Sequence, residues 1–245
     1  MELVSQVDRD VIPILTRYSS AVEAPGELIA SGRDSDIFHR GNGRVLRRSR
    51  NGRSQTHEAR TMEFVRSQGY PIPEVFSVSD DGIDLVMARI DGPTMIEAAS
   101  AQPSKLEDFA RELASLHQSL HRLQVPEWLT AAPVGSGESL LHMDLHPLNV
   151  ILSNEGPVVV DWTNAARGNP LVDVAVTWVL LASGEITGDP DEVMMVNVGR
   201  EIFLKAFLEP FPKAELESLL GEVVEWKSRD PHMSKSEVAR MHALL

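Results

Sequence analysis

The sequence predicts an α+β fold in two lobes. Residues 1–91 form a small N-lobe with an antiparallel sheet plus one helix, and residues 92–245 a mainly helical C-lobe. Three observations predict this. Short apolar, β-branched runs punctuated by Gly, Asn and Asp fill residues 27–50 and 74–90. Segments with helical periodicity and cap signals fill the chain from residue 104 onward. Gly92-Pro93 separates the two regions on composition.

Bulk properties bound the answer. At 245 residues the chain can bury a sizeable core, as one large domain or two small ones. It has no cysteine, which excludes disulfides and thiolate metal sites and fits a reducing compartment. The first residues, MELVSQVDRD, lack the basic and apolar blocks of a signal peptide. The longest apolar run, Val174 to Ala182, is too short to span a bilayer. Together these predict a cytoplasmic protein with no membrane partner. A net charge of −13 argues against general nucleic-acid binding. Residues 1–92 hold 14 acids against 12 arginines, and residues 93–245 hold 22 acids against 11 bases. A negative second lobe suits a cationic substrate, although solubility explains it equally well.

Each element follows from local signals. Val11 to Tyr18 reads as a short helix, weakened by Pro13. Leu28–Ala30, Ile37–Arg40 and Arg44–Arg47 read as strands, the last two joined by the tight turn Gly41-Asn42-Gly43. Residues 54–68 read as a helix capped by Ser54 and ended by Gly69 and Pro71. Its residues Glu58, Met62 and Val65 share one face. Val75–Val78 and Ile83–Met87 flank Asp80-Asp81-Gly82 as two further strands, five in all.

The C-lobe starts with a helix over 104–123, with Ser104 to Glu107 as capping box and an apolar face from Leu106 to Leu123. His117 and His121 lie on it at metal-ligand spacing, but no third ligand is evident. Residues 124–139 and 162–170 read as loops around the stretch described below, and Leu171 to Ala182 as a buried helix. Three more helices follow: one from Asp189-Pro190 to about Leu208, one over Lys213–Lys227, and a last one capped by Ser234 and Glu237. Glu185, Asp189, Asp191 and Asp230 are acids that could meet a substrate, and sequence does not choose among them.

The chemistry-bearing stretch is HMDLHPLN, residues 142–149, followed by Asp161. Asp144 precedes Asn149 by the spacing of a phosphoryl-transfer loop, where an Asp handles the acceptor hydroxyl and an Asn binds metal. Val150–Leu152 and Val158–Val160 read as a hairpin. A turn centred on Glu155 would set Leu152 against Val158, Val150 against Val160 and Asn149 against Asp161. Cross-strand neighbours lie roughly 5 Å apart, so two oxygen ligands suited to Mg²⁺ would converge. A His near an Asp also suits a hydrolase, but no G-x-S-x-G elbow exists.

HMDLHPLNV with VVVDW resembles the signature of the aminoglycoside phosphotransferase and choline kinase-like superfamily, which shares the protein-kinase fold. The resemblance covers nearly the whole chain in order of elements, and its specific motif covers residues 142–161. It departs at Met143, where the family commonly has Gly. It implies ATP and Mg²⁺ as cofactors, Asp144 as catalytic base, and Asn149 and Asp161 as metal ligands. It implies His142 and Asp173 as structural supports of the catalytic loop. The turn at Gly32 would cover phosphates. A kinase places a lysine on the third strand, yet this chain has none before Lys105. Arg47 is therefore expected to hold phosphate, paired with Glu58, while Val45 covers the base. The Ala88 carbonyl and Ile90 N–H would meet adenine at the hinge. The expected activity is transfer of the ATP γ-phosphate to a hydroxyl of a small molecule. A nucleotide-binding pseudokinase or scaffold is the alternative. The chain also looks short at its C-terminal end for the superfamily, where acceptor specificity is often built.

Overall fold

The computed structural model describes residues 18–19, 25–32 and 34–245. They fall into two units. One runs to Ser67 and resumes over Ile72–Ile90; the other holds Gln68–Pro71 and Asp91–Leu245.

The first unit is a six-stranded sheet with one helix, in the order β1-β5-β6-β4-β3-β2. Its strands are β1 (Tyr18–Ser19), β2 (Leu28–Ser31), β3 (Ser35–His39), β4 (Arg44–Ser49), β5 (Val75–Ser79) and β6 (Asp84–Ala88). Five were expected. The sixth, β1, lies at an edge, pairs with β5 in parallel, and takes Tyr18 out of the helix expected over Val11 to Tyr18. The rest of that predicted helix lies outside the described residues. All other pairings are antiparallel. Gly41 and Asn42, at φ +70° and +50°, and Gly43 at +67° turn β3 into β4. The helix α1 (Thr56–Ser67) buries Glu58, Ala59, Thr61, Met62 and Val65. Its stripe is the expected one, with a carboxylate in an otherwise uncharged face.

The second unit is mainly helical. It begins with α2 (Met95–Ala101), which the sequence reading missed although Thr94 and Glu97 form a full capping box. Next comes α3 (Leu106–Leu120). Its expected capping box from Ser104 does not form, because Pro103 opens a 3₁₀ turn over Pro103–Lys105 instead. Ala110, Leu113, Leu116 and Leu120 bury the predicted face, together with His117. A small antiparallel ladder joins β7 (Ser139–Leu141), which starts where the loop over 124–139 was expected to end, to β10 (Ala166–Gly168), which lies in the segment expected as a loop over 162–170. Between them lies the hairpin β8 (Val150–Ser153) and β9 (Gly156–Val159).

The helices α4 (Pro170–Ser183), α5 (Pro190–Leu208), α6 (Lys213–Lys227) and α7 (Lys235–His242) complete the unit. Asn169 caps α4 by accepting from the Leu171 N–H at 2.9 Å, with Pro170 at its first position. Asp189–Glu192 and Ser234–Glu237 cap α5 and α7 as capping boxes. Among the described residues no helix is long and apolar enough to cross a membrane.

Candidate active site

The stretch with the phosphoryl-transfer spacing begins at the end of β7 and is pinned from behind. Asp173, in the first turn of α4 and fully buried, accepts the Met143 N–H at 2.7 Å and the His142 N–H at 3.2 Å. Burial alone would raise its pKa. Contacts from the His117 and His121 rings outweigh that and hold the carboxyl well below its ordinary value. His121 Nε2 lies 3.0 Å and His117 Nδ1 3.5 Å from Asp173 Oδ2. The structure thus supplies the third group that the sequence did not show beside the two histidines, since these ligand atoms lie within 4.8 Å of one another. The Asp173 oxygens already serve two backbone N–H groups and His121, so we read the cluster as the brace of the loop. Thr177, one turn further along α4, donates to the Leu145 carbonyl at 2.6 Å.

Met143 sits at φ +64° with only 1% of its surface exposed. The left-handed backbone explains why glycine suits this position. The side chain packs in the core.

His142 is buried, and burial lowers its pKa. The ring donates from Nε2 to the Val160 carbonyl at 3.1 Å, tying the loop to the segment that carries Asp161. It also packs against buried Trp162, with ring centroids 4.7 Å apart and planes tilted by 58°. The hairpin register differs by one residue from the predicted one. Val150 pairs with Val159, Ile151 with Val158 and Leu152 with Pro157. The turn has two central residues, Asn154 and Glu155, and Ser153 closes it by donating to the Gly156 carbonyl at 2.8 Å. Asn149 therefore meets Val160, whose N–H donates to its carbonyl at 3.0 Å. Strand alternation stops before Asp161, which stands at φ +64° beyond the ladder and accepts from Thr163 Oγ1 at 2.9 Å.

Asn149 ends a 3₁₀ turn opened by Pro147. Its amide nitrogen donates to the Asp144 carbonyl at 2.9 Å and lies 3.4 Å from Asp144 Oδ2. The amide oxygen is the atom left to serve a cation. Asp144 is raised above its ordinary pKa, first by burial and further by Asp161 and Asp230, while Lys227 and His142 pull it down. Asp144, Asn149 and Asp161 thus occupy one neighbourhood within the second unit. Of the four acids left open by sequence, Asp230 is the one whose charge reaches Asp144. Asp189 is occupied as a helix cap, and Glu185 accepts from Ser236.

In the first unit, Arg47 donates from its guanidinium to Glu58 and from Nε to Ser35 Oγ at 2.9 Å. Both partners of the ion pair are nearly buried. Arg48, the next residue on β4, forks onto Asp84 at 2.7 and 2.6 Å. Val45 is buried between His39 and Met87 in the sheet. Ala88 ends β6, and Ile90 lies just past it. Arg50 stitches the turn at Gly32, donating to Ser31 Oγ at 2.8 Å and to the Gly32 carbonyl at 3.1 Å.

Comparison with known proteins bears on the family and the fold. The profile of the family described as Phosphotransferase enzyme family matches residues 26–132 and 122–211. A probable serine/threonine-protein kinase BUD32 homolog of Archaeoglobus fulgidus is 29% identical over 119 residues, and the match spans about half of either chain (49% of each). Among solved structures, a choline/ethanolamine kinase family protein from Mesorhizobium loti aligns with TM-score 0.57 at 18% identity, covering 96% of this chain and 91% of that one. The ADP-bound aminoglycoside phosphotransferase APH(2'')-Ib aligns with TM-score 0.55 at 15% identity, over 90% and 92%. The fold is kinase-like.

Proposed function

Because the chain belongs to the phosphotransferase enzyme family, we propose that it transfers the γ-phosphoryl group of ATP to a hydroxyl of a small molecule. The observation that carries this reading is the gathering of Asp144, Asn149 and Asp161 on one braced loop and the hairpin behind it.

Asp144 orients the acceptor hydroxyl and takes its proton. Its contacts leave lone pairs for that task. The Asn149 amide oxygen and the Asp161 carboxylate are hard oxygen donors and fit Mg²⁺, which keeps water and phosphate oxygens as its other ligands. When bound, the cation supplies charge neutralisation at the phosphates. Arg47, fixed by Glu58 and Ser35, is the phosphate cation of the first unit. Its planar fork holds oxygens in a geometry that lysine does not offer. The backbone of Ala88 and Ile90 receives the adenine, and Val45 lies against it. Catalysis is then positioning plus charge compensation.

The names of the two structural neighbours point to choline or ethanolamine and to aminoglycosides. Both kinds of acceptor are cationic alcohols, and the acidic second lobe suits them. The test is thermal stability with and without ATP and Mg²⁺, on wild type and Asp161→Ala. At a ligand concentration a hundred times Kd, binding adds about 2.7 kcal/mol to stability. A rise that needs Mg²⁺ and disappears in the variant supports the site and starts an acceptor screen with aminoglycosides and choline. No rise at millimolar nucleotide overturns ATP as donor. Binding without turnover on any acceptor favours the pseudokinase.

A further inference from the structure

Lys227 is the last residue of α6, and it is buried, with 7% of its side chain exposed. It belongs to a stripe that faces the core: Leu216, Leu220, Val223 and Val224 on the same helix are buried too. A lysine in such a stripe places its ammonium where an aliphatic side chain would ordinarily pack. That burial is costly unless carboxylates compensate it. Two do so here. Asp230 Oδ2 lies 3.0 Å from Nζ, and Asp144 Oδ1 lies 4.0 Å away. Asp230 is itself held by a tight turn, with its N–H donating to the Lys227 carbonyl at 3.0 Å and its Oδ1 accepting the His232 N–H at 2.9 Å. The end of α6 thus forms a rigid mount that presents one cation to Asp144.

The Asp144 carboxylate has a particular set of neighbours. Oδ1 faces Lys227 at 4.0 Å and His146 Nε2 at 3.8 Å; Oδ2 faces Asn149 Nδ2 at 3.4 Å. None of these side-chain contacts is a short hydrogen bond. The carboxylate is enclosed by charge and dipole on both oxygens, but neither oxygen is consumed. That suits a group that must accept a hydroxyl proton in a fixed direction. The acids Asp161 and Asp230 add negative charge nearby, and Lys227 is the only lysine or arginine within ion-pair reach of Asp144 among the described residues.

We propose that Lys227 is a positioning residue for Asp144, set by the end of α6 to hold the carboxylate in its productive orientation against the neighbouring acids. This rests on the reading of Asp144 as the phosphotransfer base. Lys227 acts through Asp144, so its loss lowers turnover and leaves nucleotide binding intact. A merely structural lysine would instead lower the folded fraction.

The test measures ADP release from ATP and Mg²⁺ with water as acceptor. The proteins are wild type, Asp144→Asn, Lys227→Met, Lys227→Arg, Lys227→Ala and the double variant Lys227→Met with Asp230→Asn. Lys227→Met is expected to lower kcat at least tenfold, with KM for ATP within twofold of wild type. Lys227→Arg is expected to recover most of the rate, and added ethylammonium to rescue Lys227→Ala. The double variant removes the acid left unpaired, so it folds as wild type does yet stays slow. Unchanged kcat in Lys227→Met overturns the inference, as does a loss that the double variant fully restores. Wild-type release no faster than that of Asp144→Asn overturns the assignment of the base, and the role of Lys227 with it. That outcome is distinct, because it shows in wild type before any lysine variant is compared.

Discussion

Asp173 Oδ1 accepts the Met143 N–H at 2.7 Å, so a carboxylate in the first turn of α4 fixes the backbone one residue before Asp144. The same carboxylate takes the His142 N–H. Asp173→Asn replaces one acceptor oxygen with an NH₂ group facing donors. Leaving buried partners unsatisfied in this way is expected to destabilise the fold by about 3 kcal/mol. The pH dependence follows from the lowered pKa of Asp173. A carboxyl held below its unfolded value of about 3.9 contributes its full stability above that value. The contribution is lost as pH falls through the folded value. Urea unfolding of wild type and variant should therefore differ by a constant amount from about pH 7 to pH 5, and the gap should close in stronger acid. A gap independent of pH down to unfolding would contradict the brace.

Met143 makes two opposing demands on its position. Its φ of +64° favours glycine, and its burial favours a large side chain. Removing the side chain leaves a cavity, which costs about 2–5 kcal/mol for Met→Ala in a core. The left-handed backbone costs a non-glycine residue about 1–2 kcal/mol. Met143→Gly and Met143→Ala should both be less stable than wild type. Gly should be the more stable of the two by about 1 kcal/mol, the reverse of the usual order. Chemical denaturation of the three proteins decides it; Ala above Gly would mean the backbone there is not strained.

What the sequence made legible follows the range of the forces involved. The caps of α5 and α7 were readable because Asp189 with Glu192, and Ser234 with Glu237, act within one turn. Thr94 and Glu97 carry the same signature, but Gly92-Pro93 just upstream made the segment read as a boundary. Ser104 carries the signature too, and Pro103 diverted it into a 3₁₀ turn. The hairpin was legible and its register was not, since register depends on whether the turn holds two residues or three. The strands β7 and β10 are three residues each, too short for any period to show. The ion pair between Arg47 and Glu58 was inferable from face and charge. The approach of Lys227 to Asp144 was not, because it joins α6 to a distant loop through packing alone.

Gly92 stands at φ +152°, where a Cβ would lie 2.2 Å from the Leu152 carbonyl oxygen. The chain runs against the β8 backbone here, with the Leu152 N–H donating to the Pro93 carbonyl at 2.8 Å. Gly92→Ala must move backbone rather than a flexible side chain. Overlap and the glycine-only conformation together should cost about 3 kcal/mol. Because β8 begins right after Asn149, Mg²⁺-dependent ATP binding should weaken as well. A thermal melt within about 1 °C of wild type would show that the close approach is not maintained, since 1 kcal/mol shifts the midpoint by about 2–4 °C at this size.

Arg47 and Glu58 separate a structural from a functional role on β4 and α1. Arg47→Ala removes a guanidinium from beside Glu58, a buried acid only 5% exposed. Breaking such a pair from one side costs about 3–5 kcal/mol. Replacing both partners with apolar residues of similar length, Arg47→Met with Glu58→Leu, removes the buried charge, and most of that stability should return. If Arg47 holds phosphate as proposed, ATP affinity should return in neither variant. Arg47→Lys keeps the charge but loses the Nε contact to Ser35. It should bind ATP between wild type and Arg47→Ala. Calorimetric titration with ATP and Mg²⁺, beside urea midpoints for each protein, separates the two quantities. If the double variant recovers affinity along with stability, Arg47 is a strut for the sheet, and phosphate is held elsewhere.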